Sequence, residues 1–256
     1  TRMRARDYSF DENDKQLDLT RTQLYRVFND IEFRTGGRFY GGWWQNIPKE
    51  YRSLIIINGS RTVEADFSSL HPAIIYAKKG LEPPVDAYSN ILPDLPRDVA
   101  KQAFNAMVNA HKFMQSQPRG MRLSTYGYKW ADVVEAMVQR HETIKEAFFS
   151  GTGGHLQRLD SELAERVMLS FIAYPSPVAI LPMHDSFIIH RGYEAELKEF
   201  MELHFAEMFG QTINIDVEYS SHGANSTTPV TTDLDELLAM QAGHDKRLEK
   251  FRSISQ

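Results

Sequence analysis

The 256-residue chain contains no cysteine. Disulfides and cysteine-ligated zinc or iron–sulfur centres are therefore excluded, and a reducing, cytoplasmic setting fits. It also lacks any apolar run long enough to cross a bilayer, and no segment reads as a signal peptide, so a membrane role is not expected. There is no internal repeat and no low-complexity tract. The chain opens Thr1-Arg2-Met3 rather than with an initiating methionine, which leads us to expect part of a longer protein.

What is present suits a packed fold. Hydrophobic residues make up 42% of the chain, enough for one large domain or two small ones. The formal net charge is -5, unevenly spread: residues 1–130 hold 19 Lys+Arg against 14 Asp+Glu, a balance of +5, and residues 131–256 hold 10 against 20, a balance of -10. Such asymmetry is commonly ordinary surface variation. It also permits a polyanion to meet the basic half, because binding responds to local potential.

Periodicity and turn chemistry predict mixed α and β elements. Residues 1–20 are polar and expected to be flexible, and residues 20–33 read as a short helix. "RTGGRFYGGWWQNIP" (34–48) reads as a loop or β-ribbon. "SLIIINGSRTVEADF" (53–67) reads as strand, Asn-Gly turn and strand, and the following helix stops at Gly80. A Pro-rich connection leads to a helix over 97–114, opened by Asp94 and Pro96. Further helices are expected over 128–149 and over 155–174, where Leu156, Leu159, Leu163 and Val167 share a helical spacing. "PVAILPMHDSFIIH" (177–190) reads as a hairpin with His184 and Asp185 at its tip, followed by a helix over 194–209 and a strand over 212–220. A Ser/Thr-rich tail and a charged helix close the chain. The fold class is α+β, an antiparallel sheet with helices.

Asp185 carries the first functional question. A carboxylate between two apolar runs is costly to bury without a cation. Asp66 closes another strand, and two carboxylates offered by neighbouring strands suit Mg²⁺ or Mn²⁺, ions that retain waters and take phosphate oxygens as further ligands. Each aspartate alone would more often be a turn residue or a cap.

The order of the surrounding motifs narrows the reading. Thr35-Gly36-Gly37-Arg38 followed by Gln45-Asn46-Ile47-Pro48, Asp66 in "DFSSLHP", Arg97 and Lys101 in Arg-x-x-x-Lys spacing, and His184-Asp185-Ser186 together resemble the palm and fingers of family A DNA polymerases and of the single-subunit phage and mitochondrial RNA polymerases. The match covers roughly residues 34–222, and its strength lies in four weak motifs occurring in order. Ser186 is closer to the RNA enzymes, since the DNA enzymes usually carry Glu there. The resemblance implies a right-hand polymerase palm with reduced helical fingers, divided as 1–34 (remnant thumb or linker), 35–80 (first palm part), 81–150 (fingers), 151–222 (second palm part) and 223–256 (tail and helix).

The resemblance also implies roles. Asp66 and Asp185 would be catalytic and hold two Mg²⁺ ions, with Mn²⁺ substituting and the backbone carbonyl of Phe67 as a further ligand. Arg97, Lys101, His71 and Asn105 would bind the nucleotide; Val108 and Lys112 are expected to extend the Arg97–Lys101 face. Arg38, Tyr40, Gln45, His184 and Gln157 would meet the primer–template, with Asp160 near them, and Trp43 and Trp44 read equally well as contacts or as core. A bulky His71 favours dNTPs, although an imidazole also suits a hydrogen bond to a 2′-hydroxyl. The partners are primer–template DNA and dNTPs, in a bacterial or phage-infected cell.

Three departures stand out. Asn109-Ala110 replaces the usual Tyr-Gly, which bears on template control. Only 34 residues precede Thr35, too few for a thumb, so low processivity is expected unless a further domain or accessory protein helps. Nothing resembles a proofreading exonuclease. A template-dependent DNA polymerase is the first reading. An RNA-synthesising primase or terminal transferase of the same fold is the second, and a catalytically weak nucleic-acid-binding module is the third.

Overall fold

A computed structural model describes residues 20–174 and 178–219. The expectations for residues 1–19 and for the tail and helix beyond residue 219 lie outside the described residues.

The chain begins with a two-stranded antiparallel ribbon, β1 (Tyr25–Phe28) on β2 (Gly36–Tyr40). This corrects the helix expected over 20–33. Two local causes favour the ribbon. Asp30 gathers the connecting loop by accepting the backbone N–H groups of Glu32, Arg34 and Thr35 at 3.0, 3.1 and 2.7 Å, competing with helix formation as Asx residues do. Arg26 then donates from Nε to the Gly37 carbonyl at 2.7 Å across the ribbon. Gly37 has φ 87°, and a Cβ there would meet the Phe28 ring at 2.8 Å. The glycine-rich ribbon expected over 34–48 is present, followed by a 3-10 turn at Trp43–Asn46 and the single turn α1 (Lys49–Arg52).

β3 (Ile56–Ile57) and β4 (Ser60–Phe67) form the predicted hairpin. Asn58 and Gly59 both have positive φ, 51° and 80°, as a two-residue turn matched to strand twist requires. Then follow α2 (Leu70–Ala77), α3 (Arg97–Asn109), α4 (Trp130–Arg140), α5 (Gly153–Ile172), β5 (Ile180–Met183), β6 (Ser186–His190), α6 (Glu194–Phe209) and β7 (Ile215–Tyr219). α3 ends at Asn109 rather than running to 114, because Ala110 is extended (ψ 134°). The helix expected over 128–149 is broken at His141 into α4 and a 3-10 segment, Glu142–Ala147. His141 is fully buried there, with Nε2 2.8 Å from the Ala87 carbonyl and Nδ1 3.0 Å from the Tyr76 hydroxyl. Two buried partners at fixed positions outweigh helix continuity.

The main sheet is antiparallel and places β4 between β6 and β7. Strand alternation sorts β4 by face. Val63, Ala65 and Phe67 are buried, and the Phe67 ring lies 6.4 Å from both Phe187 and Phe205. Here the sheet meets α6 and the continuous core. Each fully buried Leu, Phe or Met in that core contributes roughly 1.5–3 kcal/mol. Glu64 and Asp66 occupy the other face. A second, smaller cluster of Trp44, Ile47, Ile55, Ile57, Met183 and Ile188 secures the 3-10 turn to the β5–β6 hairpin. The architecture is α+β, as the element order indicates.

Candidate active site

Register brings the two aspartates together. Asp66, the penultimate residue of β4, pairs with Ser186 at the start of β6, and the Phe67 N–H donates to the Asp185 carbonyl at 3.1 Å. Asp185 occupies the two-residue turn between β5 and β6. On the opposite edge of β4, Asp66 pairs with Asp216 of β7. Directly opposed residues share a sheet face, so Asp216 joins the acidic end of the strand. Ser68 Oγ donates to Asp216 Oδ2 at 2.5 Å.

Burial, and then the neighbouring Asp185 carboxylate, push the Asp66 carboxyl up to about 7, against an opposing pull from Lys101. Asp66 Oδ1 is buried without a hydrogen-bond partner. A crowded carboxylate with an unsatisfied buried oxygen suits a divalent cation, which would neutralise both aspartates and use the spare acceptor. Among the described residues, no group of three or more His, Cys, Asp or Glu side chains forms a cage for a metal. The donor set therefore fits an ion that completes its shell with water and substrate oxygens better than a closed structural site.

A cleft of about 270 Å³ opens over these carboxylates. It brings together Asp66, Asp185, Arg38, His71, Arg97, Lys101, Asn105 and Gln157. Phe67 also lines it, and because its ring is in the core, the backbone is the part it offers. α3 supplies the wall facing the aspartates. Arg97, Lys101, Asn105 and Asn109 lie four apart and form one stripe along the cleft. Val108 does not extend this stripe, being buried in the core, and Lys112 lies beyond the end of the helix.

Arg97 is held in place. Its Nε donates to Asp86 Oδ2 at 2.8 Å, and its guanidinium lies over the Tyr88 ring at 5.3 Å. Burial opposes ionisation of Asp86, but hydrogen bonds from Arg97, the Ser89 hydroxyl and the Tyr88 N–H bring its carboxyl down to about 2. Tyr88 is 2% exposed at the cleft floor, and burial pushes its phenol above the ordinary value. No hydrogen bond or ion pair holds Lys101 among the described residues.

A buried polar cluster borders the cleft from α5. Arg38 Nε donates to Asp160 Oδ2 at 2.7 Å, and Arg38 Nη2 also pairs with that oxygen. The same Nη2 lies 3.3 Å from His71 Nε2. Asp160 is thus an anchor, 1% exposed. Three expected contact residues lie outside the cleft lining. Tyr40 packs edge-on against His184 at 5.3 Å. Gln45 donates its amide to the Phe39 and Pro182 carbonyls at 2.9 and 3.1 Å. His184 adopts φ 66° at the hairpin tip, an uncommon conformation for a non-glycine residue that marks strained functional turns. Burial, then Arg38, lower its imidazole. Of the two tryptophans, Trp44 is core (4% exposed) and donates Nε1 to the Pro182 carbonyl at 2.9 Å; Trp43 is partly buried against the same cluster.

Sequence reasoning missed Asp86, Tyr88 and Asp216. The first two sit in the Pro-rich connection, where no periodicity marks them. Asp216 looks like an ordinary outward residue of an alternating strand until β7 is placed beside β4.

No protein-family model matches the chain, and no curated protein matches it. Among solved structures it is similar to the POL domain of Pol1 from M. smegmatis, determined in complex with DNA primer–template and dNTP. The identity is 12% and the TM-score 0.44, over 72% of this chain and 46% of that one. The chain thus spans less than half the length of this neighbour.

Proposed function

We propose that the protein is a nucleotidyltransferase, a template-dependent DNA polymerase that extends a primer 3′ end with dNTPs. The observation that carries the reading is the pairing of Asp66 with the start of β6, which brings Asp66 and Asp185 into one cleft with Arg97 and Lys101, close enough for the Asp185 charge to act on Asp66. Acid on one wall and base on the other suit a triphosphate whose reacting phosphorus lies near the acids and whose leaving phosphates lie along the bases.

Asp66 and Asp185 would hold two Mg²⁺ ions, or Mn²⁺, with the Phe67 carbonyl as a further donor. When bound, such ions supply charge neutralisation at the reacting phosphate and lower the pKa of the attacking hydroxyl. The remaining work falls to the side chains. Arg97, already fixed at Nε, offers its remaining N–H groups to phosphate oxygens. Lys101, whose charge pulls on Asp66, adds a second cation to the same wall. Asn105 lines the wall beside them, and Gln157 closes the α5 side. His71, tied to Arg38, stands as a wall for the sugar. Arg38, Tyr40 and His184 would form the surface for the primer–template end, with Gln45 joining the Phe39 and Pro182 carbonyls beside them. In-line phosphoryl transfer needs mainly such positioning and charge neutralisation.

The test is primer extension on primed and unprimed templates, with dNTPs and then rNTPs, in Mg²⁺ and in Mn²⁺. Templated dNTP addition supports the proposal. Incorporation of rNTPs only, or without a template, would establish the RNA-synthesising or terminal-transferase reading instead. No incorporation would leave a binding module.

A further inference from the structure

The turn that carries Asp185 must bring two like charges together before any cation arrives. Its carbonyl accepts the Phe67 N–H at 3.1 Å, which ties the turn to β4. Beside it His184 adopts φ 66°, a conformation that persists only where the surroundings fix it. Repulsion between Asp66 and Asp185 works to open the turn. Something beyond one backbone hydrogen bond is needed to hold it.

Ser186 follows directly. It pairs with Asp66 across the sheet, and directly opposed residues share a face, so its side chain stands on the face of Asp66 and Glu64. Glu64 is its diagonal neighbour on β4. The Ser186 hydroxyl is buried and donates to Glu64 Oε1 at 2.6 Å. Arg52, the last residue of α1, donates from Nη1 to the same oxygen at 3.4 Å. The Glu64 and Arg52 side chains are themselves mostly buried, 18% and 23% exposed. A chain of contacts thus runs from α1 through β4 to the first residue after Asp185. Its central bond has an ionised acceptor, which makes it stronger than a neutral pair. Stability alone explains an acid at this position poorly. β7 sets Glu218 directly opposite Glu64, and Asp66 follows two residues later on the same face. Like charges so placed are unfavourable.

We infer that Glu64 is a positioning residue of the cation site: it holds Ser186, and through Ser186 the turn that sets Asp185 beside Asp66, so that the two carboxylates are assembled before the ion binds. Glu64 acts from outside the cleft. It lines a separate small hollow with Arg52 and Glu218, and the cleft over Asp66 and Asp185 does not include it. Groups that orient ligands without touching the metal are commonly worth about 10–100-fold in metal affinity. The inference rests on the proposed function for the presence of the ion, and on the geometry alone for the hold on the turn.

The experiment has two readouts on the full chain, with circular dichroism melts to confirm folding. The first is Mn²⁺ affinity, from the electron paramagnetic resonance signal of free Mn²⁺. The second is hydrogen exchange of the Phe67 amide by NMR in metal-free protein, which reports whether the turn stays on β4. Glu64→Ala and Ser186→Ala should each weaken Mn²⁺ binding about tenfold and speed Phe67 exchange about tenfold, the loss of one hydrogen bond to a charged group. Glu64→Gln keeps an acceptor for the Ser186 hydroxyl and should recover most of both effects. Glu218→Gln removes the opposed charge without touching the turn, and should match the wild type in exchange and lie within about threefold of it in affinity. Wild-type exchange in both Glu64→Ala and Ser186→Ala overturns the inference. A loss of affinity in Glu218→Gln equal to that in Glu64→Ala also overturns it, in favour of a general field of acids. Exchange that responds as predicted in a chain that binds no Mn²⁺ overturns the role at a cation site. A chain that shows both effects yet never incorporates nucleotides would defeat the polymerase reading and leave the role of Glu64 standing.

Discussion

Replacing Asp160 with alanine should destabilise the protein well beyond the effect of an ordinary surface change. The Asp160 side chain is 1% exposed, and the Arg38 side chain that donates to it is 19% exposed. Removing the carboxylate leaves a mostly buried guanidinium without its counterion, a loss of about 3–5 kcal/mol where one partner of a buried pair is deleted. Asp160→Asn keeps the volume and one acceptor and should cost less, about 1.5–3 kcal/mol, the worth of a hydrogen bond to a charged group. Removing both charges, as Asp160→Leu with Arg38→Met, should recover most of the loss, because neither buried charge then remains. The assay is urea denaturation of the singles and the double, read as a double-mutant cycle. A loss below about 1 kcal/mol for Asp160→Ala, or plain additivity in the cycle, would refute a buried, coupled pair. Because Arg38 also contacts His71, the alanine variant should loosen the cleft wall as well as the fold.

Three further outcomes are expected. Burial, supported by the neighbouring Arg140 charge, holds the His141 imidazole below its ordinary value of 6.5; the unfolded chain therefore binds the extra proton first, so stability attributable to His141 is complete above about pH 6.5 and falls as pH drops toward the lower folded value. Denaturation midpoints from pH 8 to pH 5 should show this limb in the wild type and a shallower one in His141→Gln. Gly42→Ala would set a methyl group into the buried Trp44 ring, and overpacking of this kind should cost about 1–3 kcal/mol in a thermal or urea melt. Arg97→Lys should raise the dNTP KM with a smaller effect on kcat, because an ammonium keeps the charge but loses the Nε contact to Asp86 and the flat face over Tyr88; an unchanged KM would remove Arg97 from the nucleotide wall.

Much of the sheet was legible because its signals are local. Asn58-Gly59 dictates a hairpin whatever lies around it, and the apolar runs on either side of His184-Asp185 can pair only by folding back at that dipeptide. The cleft gathers residues from β2, β4, α2, α3 and α5 that the sequence singles out by motif order. Signals that depend on distant partners were not legible. The Tyr25–Phe28 segment is a strand because Gly36 and Gly37 let β2 pass close beside it, and its own sequence does not announce this. α3 stops at Asn109 although helix-compatible residues follow. There the Phe149 N–H takes the Met107 carbonyl at 2.6 Å and the Gly151 N–H takes that of Ala110 at 2.9 Å, so the chain returning toward α5 caps the helix. Asp86 and Tyr88 gain meaning only once the Pro-rich connection is laid against Arg97, and Asp216 only once β7 is laid against Asp66.

The measurement that bears most directly on the central claim is primer extension with Mg²⁺ and dNTPs by the wild type, Asp66→Ala and Asp185→Ala proteins side by side, each first shown to fold. The account predicts templated extension by the wild type and none above background by either variant. Extension by either alanine variant at the wild-type rate would contradict a reaction built on the two paired carboxylates.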